Sequence, residues 1–155
     1  MKSVMTQKTI IGIDPDCDKS GIAIYEGNTI ALQTCDFPSL LHLLTSVEAD
    51  VCIEAGWLIT HNWHTKYGES ANVSAKKGYA VGRNHETGRK IAEFCKYYGI
   101  PYHLIKPLRK CWQGNDKKIT NEEFQKLLKF RGIEANKSRT NQEERDAGLI
   151  ALTRR

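Results

Sequence analysis

Four acids in this chain stand where carboxylates could do chemistry. Asp14 ends the apolar run Thr9-Ile10-Ile11-Gly12-Ile13, and Glu54 ends a second, Asp50-Val51-Cys52-Ile53. A carboxylate at the tip of a buried strand is costly unless something offsets its charge. Asp146 opens a C-terminal amphipathic segment, Asp146-Ala147-Gly148-Leu149-Ile150-Ala151-Leu152, and Glu143 lies one turn earlier on the same helical face. Two strand-end acids, joined by acids on a helix packed beside them, point to a divalent metal site. Mg²⁺ takes hard oxygen ligands and keeps several waters, so a few carboxylates suffice. Such a site suits phosphodiester hydrolysis, which needs an activated water and stabilisation of the leaving 3′ oxygen. Two ions roughly 3.5–4 Å apart serve both needs.

A substrate with phosphates would also need cations. Lys76, Lys77 and Arg83 form one basic group, and Lys106, Arg109, Lys110, Lys117 and Lys118 surround Trp112 in another. One of the second group could stabilise charge on the transition-state phosphate, and the rest would neutralise backbone charge. Asp16 and Asp18, just after Asp14, are outer-shell acids or part of a solvated turn, and the turn composition favours the latter. His61 and His64 are too few for a closed metal site and have no cysteine pair nearby.

The charge distribution agrees with a polyanionic partner. The net charge is +5, but residues 1–103 carry −1 and residues 104–155 carry +6. At 155 residues and 40% apolar, the chain is expected to fold as one domain, residues 1–155. No apolar run is long enough to span a bilayer, and Met1 to Lys8 lacks the core of a secretion signal. The five cysteines (17, 35, 52, 95 and 111) show no CxxC spacing. Cys52 and Cys95 fall on apolar faces as core fillers, so the expected compartment is reducing, intracellular and cytoplasmic, without structural zinc.

The elements that must position these residues can be read in order. Residues 8–14 suit a buried strand, and 15–21 are turn chemistry. Strands at 22–26 and 29–35 flank the turn Gly27-Asn28, giving an antiparallel meander of three. A helix over about 39–48 buries Leu40, Leu41, Leu43, Leu44 and Val47 and leads to a strand at 50–54, parallel to the first. Residues 57–82 show no clean period and read as a long irregular loop. A helix follows at 84–98, with Ile91, Ala92, Phe94, Cys95 and Tyr98 inward, ended by Gly99. A fifth strand at 100–105 precedes the basic loop 106–118. Thr120 with Glu123 forms a capping box for a helix to Phe130, and Thr140 or Asn141 caps a last helix over 140–153. The order βββαβαβαα implies an α/β fold with a five-stranded mixed sheet flanked by helices.

These residues carry a resemblance. Ile11-Gly12-Ile13-Asp14-Pro15 with Ser20-Gly21-Ile22-Ala23 resembles the first hairpin of the RuvC Holliday junction resolvases. Val51-Cys52-Ile53-Glu54 resembles their second catalytic strand. Gly82-Arg83 through Gly88 and Ile91-Ala92 resembles their central helix, and Glu143-Glu144-Arg145-Asp146-Ala147-Gly148-Leu149-Ile150-Ala151-Leu152 their last. The resemblance covers nearly the whole chain in order. It implies an RNase H-like fold and an endodeoxyribonuclease of the two-metal type, with Mg²⁺ as cofactor and Mn²⁺ substituting. It also implies a homodimer that resolves four-way DNA junctions by paired nicks in recombination and repair. The metal-binding set it implies is Asp14, Glu54, Glu143 and Asp146, with Glu144 a competitor for the third position. Lys106 and Lys118 match essential basic residues by spacing, and Lys118 is taken as catalytic. The same comparison makes Trp57, three residues after Glu54, a wedge that stacks on an unpaired base, with Trp63 a rival for that role. Without the comparison Trp57 reads equally as a cover for the sheet edge. Cleavage of RNA–DNA hybrid or other branched DNA, or junction binding without catalysis, are the alternatives.

Overall fold

The computed structural model describes residues 7–59 and 68–154. Its centre is a mixed sheet. Strands β1 (Ile10–Asp14), β2 (Ser20–Glu26) and β3 (Thr29–Cys35) form the antiparallel meander, with Gly27 in the left-handed conformation at the β2–β3 turn. Helix α1 (Phe37–Ser46) leads to β4 (Asp50–Glu54), and helix α2 (Ala71–Tyr98) to β5 (Tyr102–Ile105). Helix α3 (Asn121–Phe130), strand β6 (Glu134–Ala135) and helix α4 (Gln142–Leu152) complete the described chain. The sheet order is β5-β4-β1-β2-β3-β6, with β4 parallel to β1 and β5 parallel to β4.

Strand alternation divides the core in two. Ile11, Ile13, Ile22, Val51 and Ile53 face α1 and α2, packing with Leu40, Leu44, Ile91 and Cys95. Ile10, Ala23, Tyr25, Leu32 and Cys52 face the other way, against Phe124, Leu128, Ala147 and Ile150 of α3 and α4. Cys52 and Cys95 are fully buried, as their apolar settings imply, and burial pushes both thiols up to about 11. None of the described helices is long and apolar enough to cross a membrane.

Tyr98, expected inward, is exposed at the end of α2, and three further expectations need correction. The sheet has six strands, not five, because Glu134–Ala135 pairs with Thr29 and Ile30. Asn136 then clasps the β3 backbone, its Oδ1 accepting from Leu32 N at 2.9 Å and its Nδ2 donating to Leu32 O at 3.2 Å. A two-residue strand is too short to show a period. Second, α1 begins at Phe37 rather than Ser39: Asp36 is the cap, and Pro38 sits in the first turn, where its missing N–H costs nothing. Third, the described part of the supposed irregular loop is mostly helical. Gly56–Leu58 is a 3₁₀ turn, and α2 starts at Ala71 behind Ser70, whose hydroxyl accepts from Val73 N at 3.2 Å. Buried residues of α2 begin only at Gly88. Its first half has no apolar stripe because none of its residues is buried among the described residues, and periodicity reports burial rather than helicity.

Candidate active site

The two strand-end acids meet because β1 and β4 are adjacent and parallel. Ile13 pairs with Ile53, so Asp14 and Glu54 are the next residues at the same sheet end. Alternation puts both on the face of Gly12 and Cys52, which α4 covers. That helix sits unusually low on the sheet. A Cβ at Gly12 would run into the Ala147 carbonyl and lie 2.7 Å from Ala151 N, and a Cβ at Gly21 would run into the Glu143 carbonyl. Backbone therefore rests on backbone, and the first turn of α4 lies over the β1 and β2 ends.

The cap of α4 sorts its acids. Asn141 Oδ1 accepts from Glu144 N at 2.8 Å, and Glu144 Oε1 accepts from Asn141 N at 3.0 Å, a complete capping box. Glu144 is 3% exposed, and its other oxygen meets Lys137 Nζ at 2.6 Å. Both its oxygens are thus committed to holding the helix end. Glu143 is exposed and bears electrostatically on Asp14. Asp146, one turn on, accepts from Gln142 Nε2 at 2.8 Å through Oδ1, and its Oδ2 lies 3.6 Å from Lys118 Nζ.

Burial, then the charges of Glu54 and Asp146, hold the Asp14 carboxyl well above the usual carboxylate range, while Lys118 opposes and Glu143 adds to the rise. Burial and Asp146 likewise push Glu54 up, against Lys118 and Lys110. Burial leads both shifts, neighbouring acids add to them and the nearby ammonium groups oppose them, and the donors are all hard oxygens. That donor set fits a divalent cation of the Mg²⁺ kind. The carboxylates form an open arrangement: among the described residues, only Asp16, Cys17 and Asp18 bring three ligand atoms within 4.8 Å of one another. Asp16 Oδ1 accepts from Asp18 N at 2.8 Å and from Lys19 N at 3.3 Å, which is the turn reading of that segment.

The basic loop is a built structure. Trp112 packs on the α3–α4 core, and backbone bonds from Trp112 N to Lys117 O and from Gly114 N to Lys118 O close it at 3.0 and 2.9 Å. Asp116 and Lys117 hold φ of 55° and 58°, a left-handed pair without glycine that costs on the order of 1 kcal/mol or more each. This tight turn aims Lys118 at the acids. Lys106, Arg109, Lys110 and Lys117 are exposed around it. On α2, Lys76 and Arg83 are exposed, Arg83 lying 5.4 Å from the Tyr79 ring centre, while Lys77 is paired with Glu69.

Trp57 is half-buried. A Cβ at Gly88 would come within 2.5 Å of its ring, His85 meets it edge-on at 6.5 Å, and Arg89 stands 5.5 Å from the ring centre. The ring covers the seam between β4 and α2, and the neighbouring exposed apolar residue is Leu58. Trp63, His61 and His64 lie outside the described residues. Sequence reasoning missed Gly12 and Gly21 as seats for α4, and Asn84, whose Oδ1 accepts from Cys17 N at 3.0 Å and ties the turn after Asp14 to α2.

No protein-family model matches the chain, and no curated protein matches it. Its backbone is similar to that of Thermus thermophilus RuvC. The RuvC complex with a Holliday junction substrate aligns at TM-score 0.52 and 14% identity, covering 95% of this chain and 92% of that one. A second T. thermophilus RuvC structure aligns at TM-score 0.50 and 18% identity, over 94% and 92%. A fowlpox virus resolvase bound to Holliday junction DNA aligns at TM-score 0.45 and 15% identity. The chain has the RuvC-like variant of the RNase H-like α/β fold, with a cluster of acids at the β1–β4 end of its sheet.

Proposed function

We propose that this protein is a metal-dependent, structure-selective endodeoxyribonuclease that resolves four-way DNA junctions by paired symmetric nicks. The observation that carries the reading is the meeting of Asp14 and Glu54 on adjacent strand ends beneath Asp146 of a helix seated on glycine. Asp14, Glu54, Asp146 and Glu143 would hold Mg²⁺, two ions per site; Glu144 is committed to the cap and to Lys137. When bound, the cation supplies activation of water and neutralisation of charge at the departing 3′ oxygen.

The chain's own groups do the rest. Lys118, held beside Asp146 by the tight turn, faces the site where phosphate charge grows, and its ammonium stabilises that charge. Lys106, Arg109, Lys110 and Lys117 on one side, and Lys76 and Arg83 on α2, fix the phosphate backbone. Lys77 would add to them by exchanging its Glu69 partner for phosphate. Two copies of the chain would present two sites to opposed strands, matching the two-fold symmetry of the substrate. That the two T. thermophilus neighbours are RuvC structures, one bound to a Holliday junction, supports this substrate.

The test is cleavage of an immobile synthetic junction with Mg²⁺ or Mn²⁺, beside duplex, fork and RNA–DNA hybrid controls. Paired nicks on the junction, lost in Asp14→Asn while binding persists, are expected. Cutting confined to a control substrate would move the activity to another nuclease class, and tight junction binding without any cleavage would leave a binding protein.

A further inference from the structure

Resting on the reading of Asp146 as a metal ligand, we propose that Gln142 is a positioning residue for that carboxylate and that Arg145 locks it in place. The three side chains form a directed relay on the first two turns of α4. Arg145 Nη2 donates to Gln142 Oε1 at 3.0 Å, and Gln142 Nε2 donates to Asp146 Oδ1 at 2.8 Å. A guanidinium can only donate, so it must face the amide oxygen, which turns the amide NH₂ toward Asp146. The relay has one orientation and fixes Oδ1, leaving Oδ2 on the side of Lys118.

Arg145 is anchored well enough to serve as the fixed end. Its Nη1 donates to Thr140 O at 2.6 Å and to Thr140 Oγ1 at 3.2 Å, and its Nε donates to Ile119 O at 3.0 Å. Ile119 is 1% exposed and directly follows Lys118. One guanidinium therefore ties together the start of α4, the amide that holds Asp146 and the chain that delivers Lys118. Gln142 is also neutral, so it restrains the carboxylate without adding to the crowd of acids. Hydrogen bonds of this kind to a ligating carboxylate hold its orientation, and their loss lowers metal affinity by about 10–100-fold.

Four measurements on the full chain test this. Gln142→Leu, close in size but without the donor, is expected to melt within a few degrees of the parent in chelator. Its Mn²⁺ dissociation constant, by calorimetry, is expected to rise about 10–100-fold. The Mg²⁺ concentration for half-maximal junction nicking should rise with it, while the rate at saturating Mg²⁺ recovers most of the parent value. Arg145→Lys, which keeps the charge and loses the fork, should weaken Mn²⁺ in the same direction. Unchanged Mn²⁺ affinity in Gln142→Leu would overturn the proposal. The amide bridge itself is read without metal, by NMR: the Gln142 Nε2 protons, assigned by their absence in Gln142→Leu, should exchange slowly and lose that protection in Asp146→Ala. An unprotected amide in the parent would also overturn it. A protected amide in a parent that binds no Mn²⁺ would leave the bridge standing and reject instead the reading of the acids as a metal site.

Discussion

Asp14 keeps its proton more tightly in the folded chain than in the unfolded one, because burial and then Glu54 and Asp146 disfavour its charged form. Its contribution to stability is therefore present below the ordinary aspartate pKa of about 3.9 and is lost as pH rises through the elevated folded value. In chelator, Asp14→Asn should melt above the parent at neutral pH, and the gap should close as pH falls toward about 4. Thermal melts of the pair across pH check this; a gap independent of pH would contradict the charge argument. Mg²⁺ should raise the parent's melting temperature and leave the variant's nearly unmoved. The two adjacent glutamates separate by a second experiment. Glu144→Ala removes one arm of the capping box and the Lys137 ion pair, and should cost about 2 kcal/mol in a denaturation curve. Glu143→Gln should leave stability near that of the parent and lower nicking. The sequence left these two glutamates as competitors because Thr140 and Asn141 both stood as candidate caps; the structure makes Asn141 the cap and so commits Glu144, at the third helical position, to the box. Capping-box reasoning identified Thr120 and Glu123 in the sequence, and that box is present in the structure.

At the scale of elements, strands β1 to β5 and the parallel β1–β4 pair were readable because each has the composition of a buried strand and is bounded by turn residues. The first half of α2 was not, because a helical stretch with no buried residue among those described leaves no stripe to detect. Nor was the seating of α4, since what brings the helix down is the absence of a side chain at Gly12 and Gly21. A methyl group at Gly12 would meet helix backbone, which cannot rotate aside. Gly12→Ala should cost about 3 kcal/mol, the upper part of the range for overpacking, lowering the melting temperature by roughly 6–12 °C. Calorimetry of the purified variant checks it, and a drop of a degree or two would mean that α4 can lift without penalty.

Across the whole molecule, the cations offered to a phosphate backbone fall in two places, one inside the basic C-terminal third of the chain and one outside it. The built loop around Trp112 carries one group of cations, and the part of α2 with no buried residues carries the other. Each cation that neutralises a phosphate adds about 0.9 to the slope of log affinity against log salt. Arg83→Ala and Lys106→Ala should each reduce that slope by about this amount in junction-binding titrations, with little change in which junction is preferred. An unchanged slope would remove that residue from the DNA contact surface. The seat of α4 has a consequence for how freely this chain can diverge. Where a helix meets a sheet through interdigitated side chains, each change in that layer alters the spacing, and a site straddling it drifts with the packing. Here peptide groups set the spacing at Gly12 and Gly21, so the apolar residues on both sides are released to vary in kind and size without moving Asp146 relative to Asp14.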